Sequence, residues 1–153
     1  GQGDLVGTTL VAAVVEPAEA DVDRLRDAGL GTLPGTAAEI LDDALRARVA
    51  PRRLMTQRWL EIVSTAHAVG LRSSATIMYG HVESDHHVVR HLGLLRDLQK
   101  ETGGFTEFVA LGFIHEKTAL GHRPGTRPGP SAPEDLRVIS VARLFFRPWI
   151  TNV

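Results

Sequence analysis

The chain has 153 residues, 17 basic and 18 acidic side chains for a formal net charge of -1, a pI near 6.7 and no cysteine. That length fits one domain with a real core, and nothing in the near-neutral balance suggests an electrostatic grip on nucleic acid or an anionic membrane. The missing thiols exclude disulfides, thiolate nucleophiles and any iron–sulfur or zinc–thiolate site built from this chain's own residues.

No apolar run reaches membrane-spanning length, and the run from Leu5 to Val15, with an acidic flank and no basic start, makes a poor signal peptide, so a cytoplasmic protein is expected. Residues 21–28 read as a short helix with Val22 and Leu25 inward, stopped at Gly29; residues 30–33 read as a short strand ending in Pro34-Gly35. Thr36 then caps a helix over 37–47 whose apolar stripe is Ile40, Leu41, Ala44 and Leu45. Glu39 falls in its first turn, where the helix dipole favours a carboxylate. Pro51 breaks the chain, and residues 56–69 make a second helix with Trp59, Leu60, Ile62 and Val63 on or near its buried side. After Gly70, residues 73–79 are a strand that breaks at Gly80.

The unit then recurs. Ser84 or Asp85 caps a helix to about Lys100, with Val88, Leu92, Leu95 and Leu98 at helical spacing; Gly103-Gly104 stops it, and residues 105–114 are another β-rich run. From 118 to 133 glycine and proline dominate, with His122, Arg123 and Arg127 interspersed, as in a long ligand-side loop. Residues 134–146 form a final helix, and 150–153 look like the start of a further strand. Strands alternating with helices imply right-handed βαβ units and an α/β fold with a parallel sheet.

In such a sheet ligands meet the carboxyl ends of the strands, which singles out the residues after 73–79. Gly80 lets the backbone approach a ligand or take a left-handed turn, and Glu83 can accept hydrogen bonds from a hydroxyl or amine. His81 is a candidate catalytic group, able to donate to a substrate carbonyl or to act as an acid or base near neutrality. His115, beside Glu116 just past 105–114, is a second. His87 and His91 stand four apart on one helical face but lack the carboxylate of a metalloprotease arrangement; they read as a solvated face, and no metal site is expected. His67 reads as an outer-layer helix residue.

The words Ala28-Gly29-Leu30-Gly31-Thr32-Leu33-Pro34-Gly35-Thr36-Ala37-Ala38-Glu39-Ile40-Leu41, Trp59-Leu60-Glu61, Thr65-Ala66-His67, 75–83 and Thr102-Gly103-Gly104-Phe105, in that order, resemble the FO synthase and menaquinone futalosine-pathway group of radical S-adenosylmethionine (SAM) enzymes. The form Gly35-Thr36-Ala37-Ala38-Glu39 leans toward the 4-hydroxyphenyl transferase half of FO synthase, which is implied to join a tyrosine-derived fragment to 5-amino-6-ribitylaminouracil in deazaflavin (coenzyme F-420) synthesis. The resemblance implies a TIM-type (βα) barrel in which a 4Fe-4S cluster on a Cys-x3-Cys-x2-Cys loop cleaves SAM. It makes Thr32, Thr36 and Glu39 candidates for the SAM ribose and methionine, with Gly80 and Glu83 near adenine; Thr76 and Met78 depart from the Gly-x-Ile-x-Gly-x-x-Glu pattern.

The resemblance covers residues 21–153 and fits 1–20 poorly, so a part-barrel incomplete at both ends is expected, with the cluster held by a missing amino-terminal half or a partner polypeptide. Ile77, Tyr79, Val109 and Leu111 would then line a partly exposed inner face. A futalosine-pathway synthase or cyclase, and a non-catalytic binding or remnant module, are the alternatives.

Overall fold

A computed structural model describes residues 19–35 and 37–153. Their elements are α1 (Glu19–Asp27), β1 (Thr32–Leu33), α2 (Asp43–Val49), α3 (Thr56–Ala68), β2 (Arg72–Tyr79), α4 (Asp85–Thr102), β3 (Phe105–Gly112) and α5 (Ala132–Phe146). The strands form one parallel sheet in the order β1-β2-β3, so the chain is α/β with helices alternating between parallel strands. Thr36 and the apolar run from Leu5 to Val15 lie outside the described residues.

One predicted helix moves. Ala37 and Glu39 have φ of 68° and 45°, a left-handed geometry no α-helix tolerates, so residues 37–42 form a loop and α2 begins at Asp43. Asp42 is its cap, accepting from the Leu45 amide at 3.1 Å. The apolar pattern still reports burial: Ile40, Leu41 and Leu45 are in the core, although Ala44 is exposed. Glu39 is therefore not a helix-dipole partner.

The core lies between the helices and one face of the sheet. Ala75, Ile77 and Tyr79 of β2 and Phe105 and Phe108 of β3 pack against Trp59 and Val63 of α3, Leu92, Leu95 and Leu98 of α4, and Ala142 and Phe146 of α5. This corrects the expected inner face, because Ile77 and Tyr79 are buried beneath the helices while Val109 and Leu111 are 38 % and 46 % exposed on the opposite side. Strand alternation then assigns Thr76 and Met78 to the open face.

Pairing of Ser73 with Phe105 and of Ala75 with Phe108 inserts one extra residue into β3, a bulge that turns both phenylalanines toward the helices. Residues 150–153 run beside β3, with the Phe108 amide donating to the Asn152 carbonyl at 2.9 Å, without forming a strand. Among the described residues no helix is long and apolar enough to cross a membrane.

Candidate functional site at the carboxyl ends of the strands

Parallel pairing gathers three connections at one end of the sheet: the loop after β1, the turn after β2 and the segment after β3. β1 is short and pairs with the start of β2, Thr32 opposite Arg72 and Leu33 opposite Ser73. Its following loop then climbs along β2. The Gly35 amide donates to Ser74 Oγ at 2.8 Å, and Thr76 Oγ1 donates to the Gly35 carbonyl at 2.5 Å. A β-carbon on Gly35 would sit 1.9 Å from the Ser74 carbonyl oxygen, so only glycine fits this approach. Higher up, the Met78 amide donates to the Glu39 carbonyl at 2.7 Å.

Two buried side chains hold the loop from behind. The Arg46 guanidinium donates to the carbonyls of Ala37, Ala38, Ile40 and Leu54. His91 accepts from the Leu41 amide at Nδ1 (3.0 Å) and donates from Nε2 to the Thr76 carbonyl (2.9 Å). That pattern fixes a neutral tautomer, and burial pushes its pKa down to about 4. His91 is fully buried, so it and His87 do not share a solvated face. Glu39 presents a half-buried carboxylate with no hydrogen-bond or ion-pair partner among the described residues.

The turn after β2 is built differently. Gly80 takes φ of 90°, and a β-carbon there would meet Pro130 at 2.4 Å, so its close approach is to the segment after β3. The Glu83 carboxylate accepts from the amides of Gly80 (2.6 Å) and His81 (2.9 Å) and from Arg127 Nη2 (2.8 Å), and its side chain is only 3 % exposed. Burial alone would raise its pKa, but the hydrogen bonds from backbone amides, Gly80 first and His81 with it, outweigh burial and hold the carboxyl below the usual range. His81 is fully buried: Nδ1 accepts from the Val82 amide at 2.7 Å, and Nε2 donates to the Met78 carbonyl at 3.0 Å. Burial lowers its pKa against the opposing pull of Glu83, 3.1 Å from Nδ1, so the ring is neutral with both nitrogens used.

Arg127 ties the third connection to this turn. Its amide donates to the His81 carbonyl at 2.9 Å, and its guanidinium bridges Glu83 and Glu134, the latter at 2.6 Å. Amide donation from Ser131 and the Arg127 contact pull Glu134 down to about 2. His115 stands on the exposed part of the same segment, donating from Nδ1 to the Pro128 carbonyl at 2.9 Å with Glu116 at 3.6 Å.

The structure thus brings Gly80, His81 and Glu83 together, with Glu39 adjacent through Met78, and leaves His115 on its own segment. Thr32 sits at the far end of β2 from Gly80, and its hydroxyl donates to the Arg72 carbonyl. His67 is not an outer-layer residue: it bonds Thr102 and Ser73 and stands edge-on to Phe105 at the amino-terminal side of the strands. Arg46, His91, Arg127 and Glu134 complete the site without having been singled out as site residues. Two gave a usable signal: His91, three after Val88 and four before Leu95 on the apolar stripe, and Arg127, within the glycine- and proline-rich segment 118–133.

No protein-family model matches the chain. Among curated proteins it is 48 % identical over 129 residues to the 5-amino-6-(D-ribitylamino)uracil–L-tyrosine 4-hydroxyphenyl transferase 1 of Methanococcus maripaludis, covering 84 % of this chain and 36 % of that protein. It is 53 % identical over 129 residues to the FO synthase of Mycobacterium tuberculosis, covering 15 % of that longer protein. The 4-hydroxyphenyl transferase of Methanococcus vannielii matches at 46 % over the same length. The chain spans about a third of the length of these transferases. Over those 129 residues the chain is a homologue of a segment of the 4-hydroxyphenyl transferases and FO synthases.

Proposed function

We propose that this chain forms one wall of a TIM-type (βα) barrel in a cytoplasmic radical SAM transferase that joins a tyrosine-derived 4-hydroxyphenyl fragment to 5-amino-6-ribitylaminouracil. The observation that carries this reading is the 45–53 % identity to relatives so named over 84 % of the chain. Three parallel strands with helices on one face and an open opposite face are consistent with such a wall.

Two cofactors are implied, and they fit unequally. With no cysteine, and with no group of three or more His, Asp or Glu side chains placed to hold a metal among the described residues, the chain's own donors do not fit a 4Fe-4S cluster. Thiolates for it would come from another segment or polypeptide. SAM fits better, because the unpartnered Glu39 carboxylate suits its ammonium group. SAM supplies the hydrogen-abstracting radical in this chemistry.

This chain's residues then bind and orient. Glu39 holds the methionine end, with Thr36, three residues earlier in the sequence, as a second candidate; the turn 80–83 walls the adenine, its shape kept by Glu83. His81, with both nitrogens engaged, positions that turn, whereas His115 is the group free to exchange a proton with substrate. Thr32 has no part, lying at the other end of β2.

Calorimetric titration of SAM into the chain tests the reading. Binding is expected, and Glu39→Gln should weaken it roughly ten- to a hundredfold, the range for one hydrogen bond to a charged group. Absence of binding at millimolar SAM, or equal affinity in the variant, would overturn it.

A further inference from the structure

Among the described residues Arg46 is the largest fully buried side chain, and no carboxylate lies within ion-pairing distance of it, Glu39 and Asp43 acting on it only from farther off. A guanidinium in that position is costly unless its donors are all used. Here it makes four hydrogen bonds, all to backbone carbonyls, three of them from residues 37, 38 and 40 of the loop after β1 and the fourth from Leu54. Those carbonyls point inward because Ala37 and Glu39 adopt left-handed geometry, which costs roughly 1–2 kcal/mol at each non-glycine residue and persists only where the surroundings enforce it. Loop and arginine are therefore mutually dependent: the strained backbone turns its carbonyls to the guanidinium, and the guanidinium satisfies them.

The consequence falls on Glu39. Its carbonyl is fixed to the Met78 amide, its neighbours' carbonyls are fixed to Arg46, and Leu41 is fixed to His91, so the backbone that carries its side chain is held on both sides. We propose that Arg46 is a positioning residue whose guanidinium moulds residues 37–40 so that the Glu39 carboxylate is presented, unpaired, to an ammonium-bearing ligand. The ligand contact rests on the functional reading above; the moulding does not. Lysine cannot replace arginine here, because one ammonium with three donors at a single point cannot span four carbonyls.

Two readouts on the whole chain test this. Amide exchange is followed at Leu41 and Met78, which bond His91 and the Glu39 carbonyl, with Leu95 and Ala110 as internal controls. Arg46→Lys is expected to speed exchange at Leu41 and Met78 at least tenfold while the controls keep their rates, and to weaken SAM binding about tenfold. Glu39→Gln is expected to weaken SAM binding with exchange unchanged. Because the arginine acts through the glutamate, the double variant should bind SAM no worse than Glu39→Gln alone, a non-additivity that general loosening of the fold would not produce. Wild-type exchange at Leu41 and Met78 in Arg46→Lys would overturn the inference, as would additive losses in the double variant. Should Arg46→Lys not fold, the same contrast is made in Arg46→Gln, which removes most of the donors to the loop carbonyls without leaving a buried charge. If the wild-type chain binds no SAM, the functional reading falls, and the exchange contrast alone decides whether Arg46 moulds the loop.

Discussion

The loop after β1 and the turn after β2 reach the same end of the sheet by opposite means. The turn reverses through Gly80, for which φ of 90° is free of steric cost, and it closes its polar groups on one another through Glu83, His81 and Arg127. The loop bends through Ala37 and Glu39, for which left-handed geometry is strained, and it depends on Arg46 and His91 behind it. The turn spends its carboxylate on its own backbone; the loop keeps its carboxylate unpaired. A residue next to a strand end is thus not a ligand residue by position alone, and the test is whether its polar atoms remain free.

The sharpest way to break the comparison is Gly80→Ala. Its new methyl would take a left-handed φ and collide with Pro130, so we expect a loss on the order of 2–5 kcal/mol in urea unfolding, combining backbone strain with overpacking. A variant as stable as the parent would show that the turn has slack that its contacts do not suggest.

Acid should act next, through the imidazoles. The native pKa of His91 is about 4 and that of His67 about 4, both through burial, and His81 is lowered by burial as well, whereas an unfolded imidazole titrates near 6.5. The unfolded state therefore binds more protons between those values, so the stabilisation is complete above about pH 6.5 and is lost as pH falls toward 4. His91 contributes a slope of up to about 1.4 kcal/mol per pH unit. The carboxylates Glu83 and Glu134, whose native pKa values are lowered, add their own loss only below about 4.5. Melting temperatures that stay flat from pH 6.5 to 4.5 would contradict these neutral buried rings.

The smallest expected effect has the opposite sign. Ala37→Gly removes left-handed strain at the cost of a more flexible unfolded chain, a net gain of about 0.5–1 kcal/mol. Destabilisation instead would mean that the methyl of Ala37 contributes packing that outweighs the strain.

Much of this architecture was legible in the sequence because its signals are local. Glycine stops and helical apolar stripes located α3, α4 and α5 to within a few residues, and the break at Gly80 located the turn. The helix expected over 37–47 failed because its fate depends on Arg46 folding back on carbonyls ahead of it, which no periodicity records. Likewise Glu83 and His81 were correctly placed at the strand end. That Glu83 turns inward is set by Arg127, contributed by a distant loop. The face of β3 was hidden for another reason: Phe105 and Phe108 are three apart, and no two-residue alternation assigns both to the core.

That bulge in β3 also bears on how the strand tolerates changes of length. Loss of the codon for Glu107 would bring Phe108 into the second position after Phe105, turning the bulge into regular pairing while leaving both phenylalanines, and every residue after them, on the faces they now occupy. Loss of one codon anywhere from 109 to 112 would instead exchange core and open faces for the remainder of the strand. The extra residue at 106–107 is thus a buffer against single-residue deletion, placed where the strand enters the core.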